Sequence, residues 1–327
     1  MGSSTALRER PLVIAHRGAS GYLPEHTLAA KALAHAMGAD FVEQDVVLSR
    51  DGVPVVLHDI YLESTTDVAA RFPKRARGDG SFYAIDFTLE ELRQLRVHER
   101  GWRDQGGKHS AYYAKRFPPQ PGLFQVPTLE EELALVDGLN KSMGRSTGIY
   151  LELKAPNWHL EAGQDMVPAV VKVLDDAGYL QRPGQVFLQC FDDSTLKRLA
   201  RELPAPLPLI QLIGENDWGE DSAADYEKMR TPEGLADIAG YAAGIGPHLP
   251  QVLTGTKPDG TAQLSDLVDH AHEKGLEVHP YTFRRDELPA GIPSFEALLD
   301  IFIEQAGVDG LFTDFPDLAV SYLAKRA

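Results

Sequence analysis

The sequence predicts an α/β fold, a (β/α)8 TIM barrel carrying one inserted segment near the C-terminal face of its strands. Short β-branched runs alternate with stretches of helical spacing along most of the chain. Parallel neighbours cannot be joined by a tight hairpin, so this alternation implies parallel strands with helical crossovers. About eight such units in roughly 250 residues is the size of a TIM barrel. The competing architecture, an open doubly wound sheet, usually announces a glycine-rich phosphate turn after its first strand. Here that strand runs into HRGASG, which is neither GxGxxG nor a P-loop.

The strand-like runs, in order, are PLVIAH (11–16), FVEQDVVL (41–48), PVVLHD (54–59), GIYLELK (148–154), QVFLQCF (185–191), LPLIQLIG (207–214), AAGIGP (242–247), LEVHPYTF (276–283) and DGLFTDF (309–315). TLEELRQL and TLEEELALV each place a Glu three residues after a Thr, the signature of a capping box opening a helix. The rhythm breaks between about residues 60 and 127, where YLESTTD, the basic RFPKRARGDG, aromatics at Phe82, Tyr83, Trp102, Tyr112 and Tyr113, and RFPPQPG follow one another. A connection this long in a compact domain is commonly functional or disordered. It reads as an insertion beside the barrel mouth without a core of its own. Residues 1–10 read as a tail, and 11–327 as one domain.

Composition narrows the function. With 327 residues, 43% of them hydrophobic, the chain can bury a large core unaided. A formal charge of -16 argues against nucleic acid and against an anionic membrane surface, both of which need a basic face. Any phosphate site must therefore be locally basic. Cys190, the single cysteine, excludes an internal disulfide and reads as a buried, inert thiol in VFLQCF. No run is long enough to span a bilayer, and MGSSTALRER has no apolar signal core, so the chain as given is expected to be soluble.

Active sites of TIM barrels lie at the carboxyl ends of the strands, which directs attention to the polar residues there. His16 and Arg17 end the first run, Glu43 and Asp45 sit in the second, His58 ends a short one, and Glu152 and Lys154 end the next. Gln189, His279 and Asp314 hold similar places later. Side chains alternate along a strand, so Glu43 and Asp45 share one face, as do Glu152 and Lys154. Two carboxylates on one buried face demand a cation or a raised pKa. On a solvent face either motif is ordinary. Oxygen ligands without cysteines or clustered histidines favour Ca²⁺ or Mg²⁺ over zinc.

Arg17 offers a fork matching phosphate oxygens, and Gly18 lets the backbone turn away at once. Lys154 adds a point charge. His16 and His58 can exchange protons near neutrality, as displacement at phosphorus requires. His26, His35, His98, His248, His270 and His272 read as surface or packing residues, and His279, preceding Pro280, as structural. Asp314 either bonds an arginine or a ligand hydroxyl, or caps the helix after Pro316.

In order, HRGASGYLPEHT, FVEQDVVLSRDGVPVVLHD, YLELK, LQCF, HPYT and DGLFTDFPD resemble the glycerophosphodiester phosphodiesterases, from about residue 11 to 320. TDVAARFPKRARGDGSFYAIDFTLEEL and GYLQRPGQVFLQCFDDSTLKRL are most similar to the periplasmic bacterial branch. The resemblance implies hydrolysis of deacylated phospholipids such as glycerophosphocholine and glycerophosphoethanolamine to sn-glycerol 3-phosphate and an alcohol. It implies Glu43, Asp45 and Glu152 as metal ligands, His16 and His58 as the catalytic pair, and Arg17 and Lys154 as phosphate contacts. Ca²⁺ is implied first and Mg²⁺ second, with a small-molecule substrate and a periplasmic location, the cytoplasm being the alternative. No membrane insertion is expected, and the chain is expected to be a monomer or homodimer. One departure is PEHT where the family usually has PENT, so that His26 replaces an Asn while Glu25 is kept. The residue 60–127 aromatics are expected to wall the alcohol side. A related enzyme acting on intact sphingomyelin or lysophospholipid needs an apolar rim that this insertion scarcely offers. A binding protein that lost the chemistry would lack one of the histidines or carboxylates, all of which are present.

Overall fold

The computed structural model describes residues 10–326 apart from 104–108, 121 and 204. Eight parallel strands form the barrel: β1 (Leu12–Ala15), β2 (Phe41–Leu48), β3 (Gly148–Leu153), β4 (Val186–Cys190), β5 (Leu209–Ile213), β6 (Gly244–Pro247), β7 (Glu277–Val278) and β8 (Gly310–Thr313). They are hydrogen-bonded in the order β7-β6-β5-β4-β3-β2-β1-β8. The seam between the ends of this series is closed by Asp309 N donating to the Val278 carbonyl (3.0 Å), Phe312 N to that of Pro280 (3.1 Å), and Phe283 N to that of Phe312 (2.8 Å). PVVLHD is no barrel strand. Its residues Pro54–Val56 fold back antiparallel on β2, pairing Val46 with Val56 and Leu48 with Pro54.

Side-chain alternation explains both the core and the mouth. Leu12, Ile14, Phe41, Tyr150, Phe187, Ile210 and Phe312 form one buried cluster inside the barrel. Their neighbours in sequence, such as Val13, Val42, Ile149 and Leu151, pack outward in the clusters shared with the helices. Continuing the inward series by steps of two gives His16, Glu43 and Asp45, Glu152 and Lys154, Gln189, and Asp314. The interior thus passes from an aromatic floor to a polar mouth by register alone. The floor is tight: a Cβ on Gly148 would lie 2.3 Å from the Phe41 ring, so glycine is required there.

The predicted helix starts are present. Thr88 with Glu91 and Thr128 with Glu131 each complete a capping box, opening the helices Leu89–Leu92 and Leu129–Met143. The insertion corrects one expectation. It has a hydrophobic cluster of its own, in which Leu62, Val68, Phe82, Phe87, Leu92 and Leu95 rest on Val47 and Val55 of the hairpin. Each such side chain contributes roughly 1.5–3 kcal/mol when fully buried, enough to hold the segment in one shape. No helix among the described residues is long and apolar enough to cross a membrane.

Candidate active site

The reversal after β1 sets up the first half of the site. Arg17 and Gly18 both adopt positive φ (57° and 87°), and a Cβ on Gly18 would lie 2.8 Å from the Ala30 backbone carbon. That tight turn lets the Arg17 amide donate to Glu43 Oε2 at 2.8 Å while its guanidinium reaches Glu25 (3.1 Å) and Asp45 (3.4 Å).

Glu43, Asp45 and Glu152 converge. All three are buried, and each offers a carboxylate oxygen within 4.8 Å of the others. Gln189 Nε2 donates to Glu43 Oε1 (3.0 Å), and Lys154 Nζ to Glu152 Oε1 (2.7 Å). Burial, with Asp45 and Glu152 beside it, drives the Glu43 carboxyl well above the usual carboxylate range. Burial and Asp45, opposed by Lys154, push Glu152 up to about 8. Asp45 goes the other way: burial works against its charge, but His26, His58 and Arg17 hold it well below the usual range. Asp45 Oδ1 is buried with no hydrogen-bond partner. A set of oxygen donors with charge to spare and one orphaned oxygen fits a hard divalent cation.

Each predicted histidine is held by a carboxylate. His16 Nδ1 lies 2.6 Å from Asp314 Oδ1, and His58 Nδ1 2.5 Å from Asp59 Oδ1. With Nδ1 engaged, the Nε2 atoms are left for the cavity, His58 Nε2 lying 3.4 Å from Lys154 Nζ. Burial first, then Arg17, lowers His16 to about 4. Burial, Arg17 and Lys154 lower His58 to about 3. Both imidazoles are therefore neutral in the free protein at neutral pH.

Two cavities, of about 290 and 360 Å³, share His16, Arg17, His58 and Arg284 as walls. The first adds the carboxylates, Lys154 and an apolar side containing Phe191, Trp218 and Tyr281. The second adds Glu99, Arg100, Tyr112, Tyr113 and Arg116 from the insertion. Phe82 and Tyr83, expected at this wall, lie elsewhere: Phe82 belongs to the insertion cluster, and Tyr83 stacks on Trp158 at 5.5 Å.

Other sequence expectations are resolved one by one. Asp314 does not cap the helix Pro316–Ala324, because its oxygens are taken by His16, Arg116 (2.7 Å) and Arg284 (2.9 Å). His279 lies in the floor, 2.9 Å from the Tyr150 hydroxyl. Cys190 is buried. Two histidines set aside as surface or packing belong to the site: His248 lines the first cavity, and buried His26 lies 2.7 Å from Asp45 Oδ2. The replaced motif position flagged His26, and nothing flagged His248. Asp59, Arg100, Arg116 and Arg284 were also missed. Of these only Asp59 had a signal, its place directly after His58.

By fold the protein is a (β/α)8-barrel enzyme with its polar cluster at the C-terminal ends of the strands. The sequence profile of the glycerophosphoryl diester phosphodiesterase family matches residues 16–318. The glycerophosphodiester phosphodiesterase of Haemophilus influenzae is 40% identical, covering 98% of this chain and 92% of its own. That of Treponema pallidum is 38% identical over 97% and 92%. The crystal structure of a Silicibacter pomeroyi relative superposes with a TM-score of 0.69 at 28% identity, covering 98% and 95%. An Oleispira antarctica phosphodiesterase, solved with sn-glycerol-3-phosphate, shares the fold with a TM-score of 0.62 at 23% identity, covering 96% and 97%. The chain belongs to the glycerophosphoryl diester phosphodiesterase family and is a phosphoric diester hydrolase.

Proposed function

We propose that this enzyme hydrolyses glycerophosphodiesters, glycerophosphocholine and glycerophosphoethanolamine among them, to sn-glycerol 3-phosphate and a free alcohol. The carrying observation is that two carboxylate-anchored histidines stand between two adjoining cavities, beside three converging carboxylates. The relatives' names and the product held by the Oleispira antarctica protein support the substrate class. We read residues 11–327 as one domain with the insertion at about 60–127, and the protein as periplasmic, with the cytoplasm as the alternative, and as a monomer or homodimer.

Glu43, Asp45 and Glu152 would hold the cation, Ca²⁺ before Mg²⁺, since oxygen-only ligation suits the larger ion with its less demanding geometry. Bound there, it would supply positive charge to the phosphoryl oxygens and relieve the triad. Arg17 and Lys154 would add donors to the same oxygens. A neutral histidine is ready to take a proton from the attacking oxygen. Its counterpart must arrive protonated, and the anionic phosphate between them favours that form by opposite charge. The test is chelation followed by add-back of Ca²⁺ or Mg²⁺, with sn-glycerol 3-phosphate measured directly. Activity should vanish on chelation and return with metal. Full turnover in a sample shown by elemental analysis to be metal-free would overturn the cation's role.

A further inference from the structure

His26 Nε2 lies 2.7 Å from Asp45 Oδ2, and its Nδ1 lies 3.3 Å from Lys31 Nζ. Lys31 also donates to the Glu43 carbonyl and pairs with Glu132 Oε2 at 3.0 Å. His26, Lys31 and Glu132 are all buried, behind the triad and outside the residues that line either cavity. They come from three places. His26 has a positive φ of 59° ahead of Thr27, Lys31 lies on the helix Leu28–Met37 that Thr27 caps, and Glu132 lies on Leu129–Met143.

The donor inventory fixes the direction of the chain. An ammonium has protons and no lone pair, so the His26 nitrogen facing Lys31 must accept. The ring proton then sits on Nε2 and is donated to Asp45 Oδ2. Arg17 Nε also lies on the side of Oδ2, at 3.4 Å. Oδ1, the oxygen without a partner, is thereby left over for the site. Lys31 is held between the Glu132 carboxyl and the Glu43 carbonyl, so the chain delivers an oriented proton to Asp45.

We propose that Glu132, Lys31 and His26 form a positioning chain that fixes the Asp45 carboxylate by a proton donated from His26 Nε2, and so sets the affinity of the triad for its cation. This rests on reading Glu43, Asp45 and Glu152 as a cation site. It gives His26 a task that packing alone does not: to occupy one oxygen of Asp45 so that the other is presented.

The experiment titrates metal-stripped protein with CaCl₂ in a calorimeter, without substrate, and records thermal unfolding of each variant in parallel. His26→Leu fills the space without a donor and is expected to weaken Ca²⁺ binding about 10- to 100-fold, the usual cost of an outer partner of a metal ligand. His26→Gln keeps an amide donor and should stay within roughly threefold of the wild type. The paired variant Lys31→Met with Glu132→Gln leaves His26 in place but frees its tautomer, and should also weaken binding. That arm decides the matter if His26→Leu does not fold. Equal affinity of wild type and His26→Leu, or equal weakness of the Gln and Leu variants, overturns the chain alone. A wild type that takes up no Ca²⁺ overturns the cation reading and the chain together.

Discussion

The two lobes of the mouth are built by different means. The lobe holding Glu43, Asp45, Glu152 and Lys154 is made by barrel strands and their ends, so its side chains follow from register. The lobe holding Glu99, Arg100 and Arg116 is made by the insertion, whose path is set by its own small hydrophobic cluster. Yet the insertion does more than wall a cavity. It sends one arginine to each carboxylate that holds His16 or His58: Arg100 to Asp59 (2.6 Å) and Arg116 to Asp314 (2.7 Å). The strand lobe carries the converging carboxylates, and the insertion braces the two carboxylates that hold His16 and His58.

The largest effect expected tests the histidine pair itself. His16→Ala and His58→Ala should each lower kcat on the order of 10² to 10⁴ with the fold intact. A diester with a p-nitrophenyl leaving group needs no acid, so the variant lacking the acid should recover most of its rate on it while the other does not. Equal slowness of both variants on both substrates would show that the histidines bind phosphate or orient carboxylates instead.

The braces should matter less, and unequally. Outer hydrogen-bond partners of this kind are worth about 10- to 100-fold when removed. Asp314 keeps Arg284 after Arg116→Met, whereas among the described residues Asp59 keeps Ser64 and His58 after Arg100→Met. Arg100→Met should therefore lower kcat more than Arg116→Met, with KM nearly unchanged in both. Steady-state kinetics on one diester separates the cases. A rise in KM alone would make the insertion a binding wall and nothing more.

This contrast also marks what the sequence could show. Glu43 and Asp45, or Glu152 and Lys154, were readable because a period of two survives translation into any strand, and a barrel turns one strand face inward. His58 was readable from the same logic, although its strand proved to be an antiparallel return on β2. Arg100 and Arg116 were not, because no periodicity governs a segment whose shape comes from long-range burial of Leu62, Phe82 and Phe87. His26 lay between: its motif position stood out, but its contact with Asp45 depends on a left-handed backbone that no pattern announces.

A smaller effect concerns the alcohol. In the insertion lobe every lining arginine is tied to a carboxylate: Arg17 and Arg100 to Glu25, Arg116 and Arg284 to Asp314. Among the described residues the charges of both signs in this lobe are thus largely paired with each other, which leaves little there to select a cationic head group over a neutral one. Choline, ethanolamine and glycerol diesters should differ in kcat/KM by less than about 100-fold, or about 2.7 kcal/mol. A larger preference for one of them would mean that the lobe reads its alcohol.

The last effect is on stability, and it isolates the insertion lobe. Glu99 is 3% exposed and its Oε2 has no hydrogen-bond partner. Burial first, then the charges of Glu25 and Asp314 against those of Arg116 and Arg100, push its carboxyl up to about 8 from an ordinary 4.5. Below the ordinary value the carboxyl is protonated in both folded and unfolded chains, so it contributes nothing to pH dependence. Between the two values the folded state holds the proton that the unfolded state has lost, and stability falls as pH rises. Above about 8 both states are ionised and the full cost of the buried charge is present. Glu99→Gln removes that charge in the same shape. Its thermal midpoint relative to wild type should therefore climb from pH 5 to pH 9, whereas an equal offset at the two pH values would mean that Glu99 is already compensated.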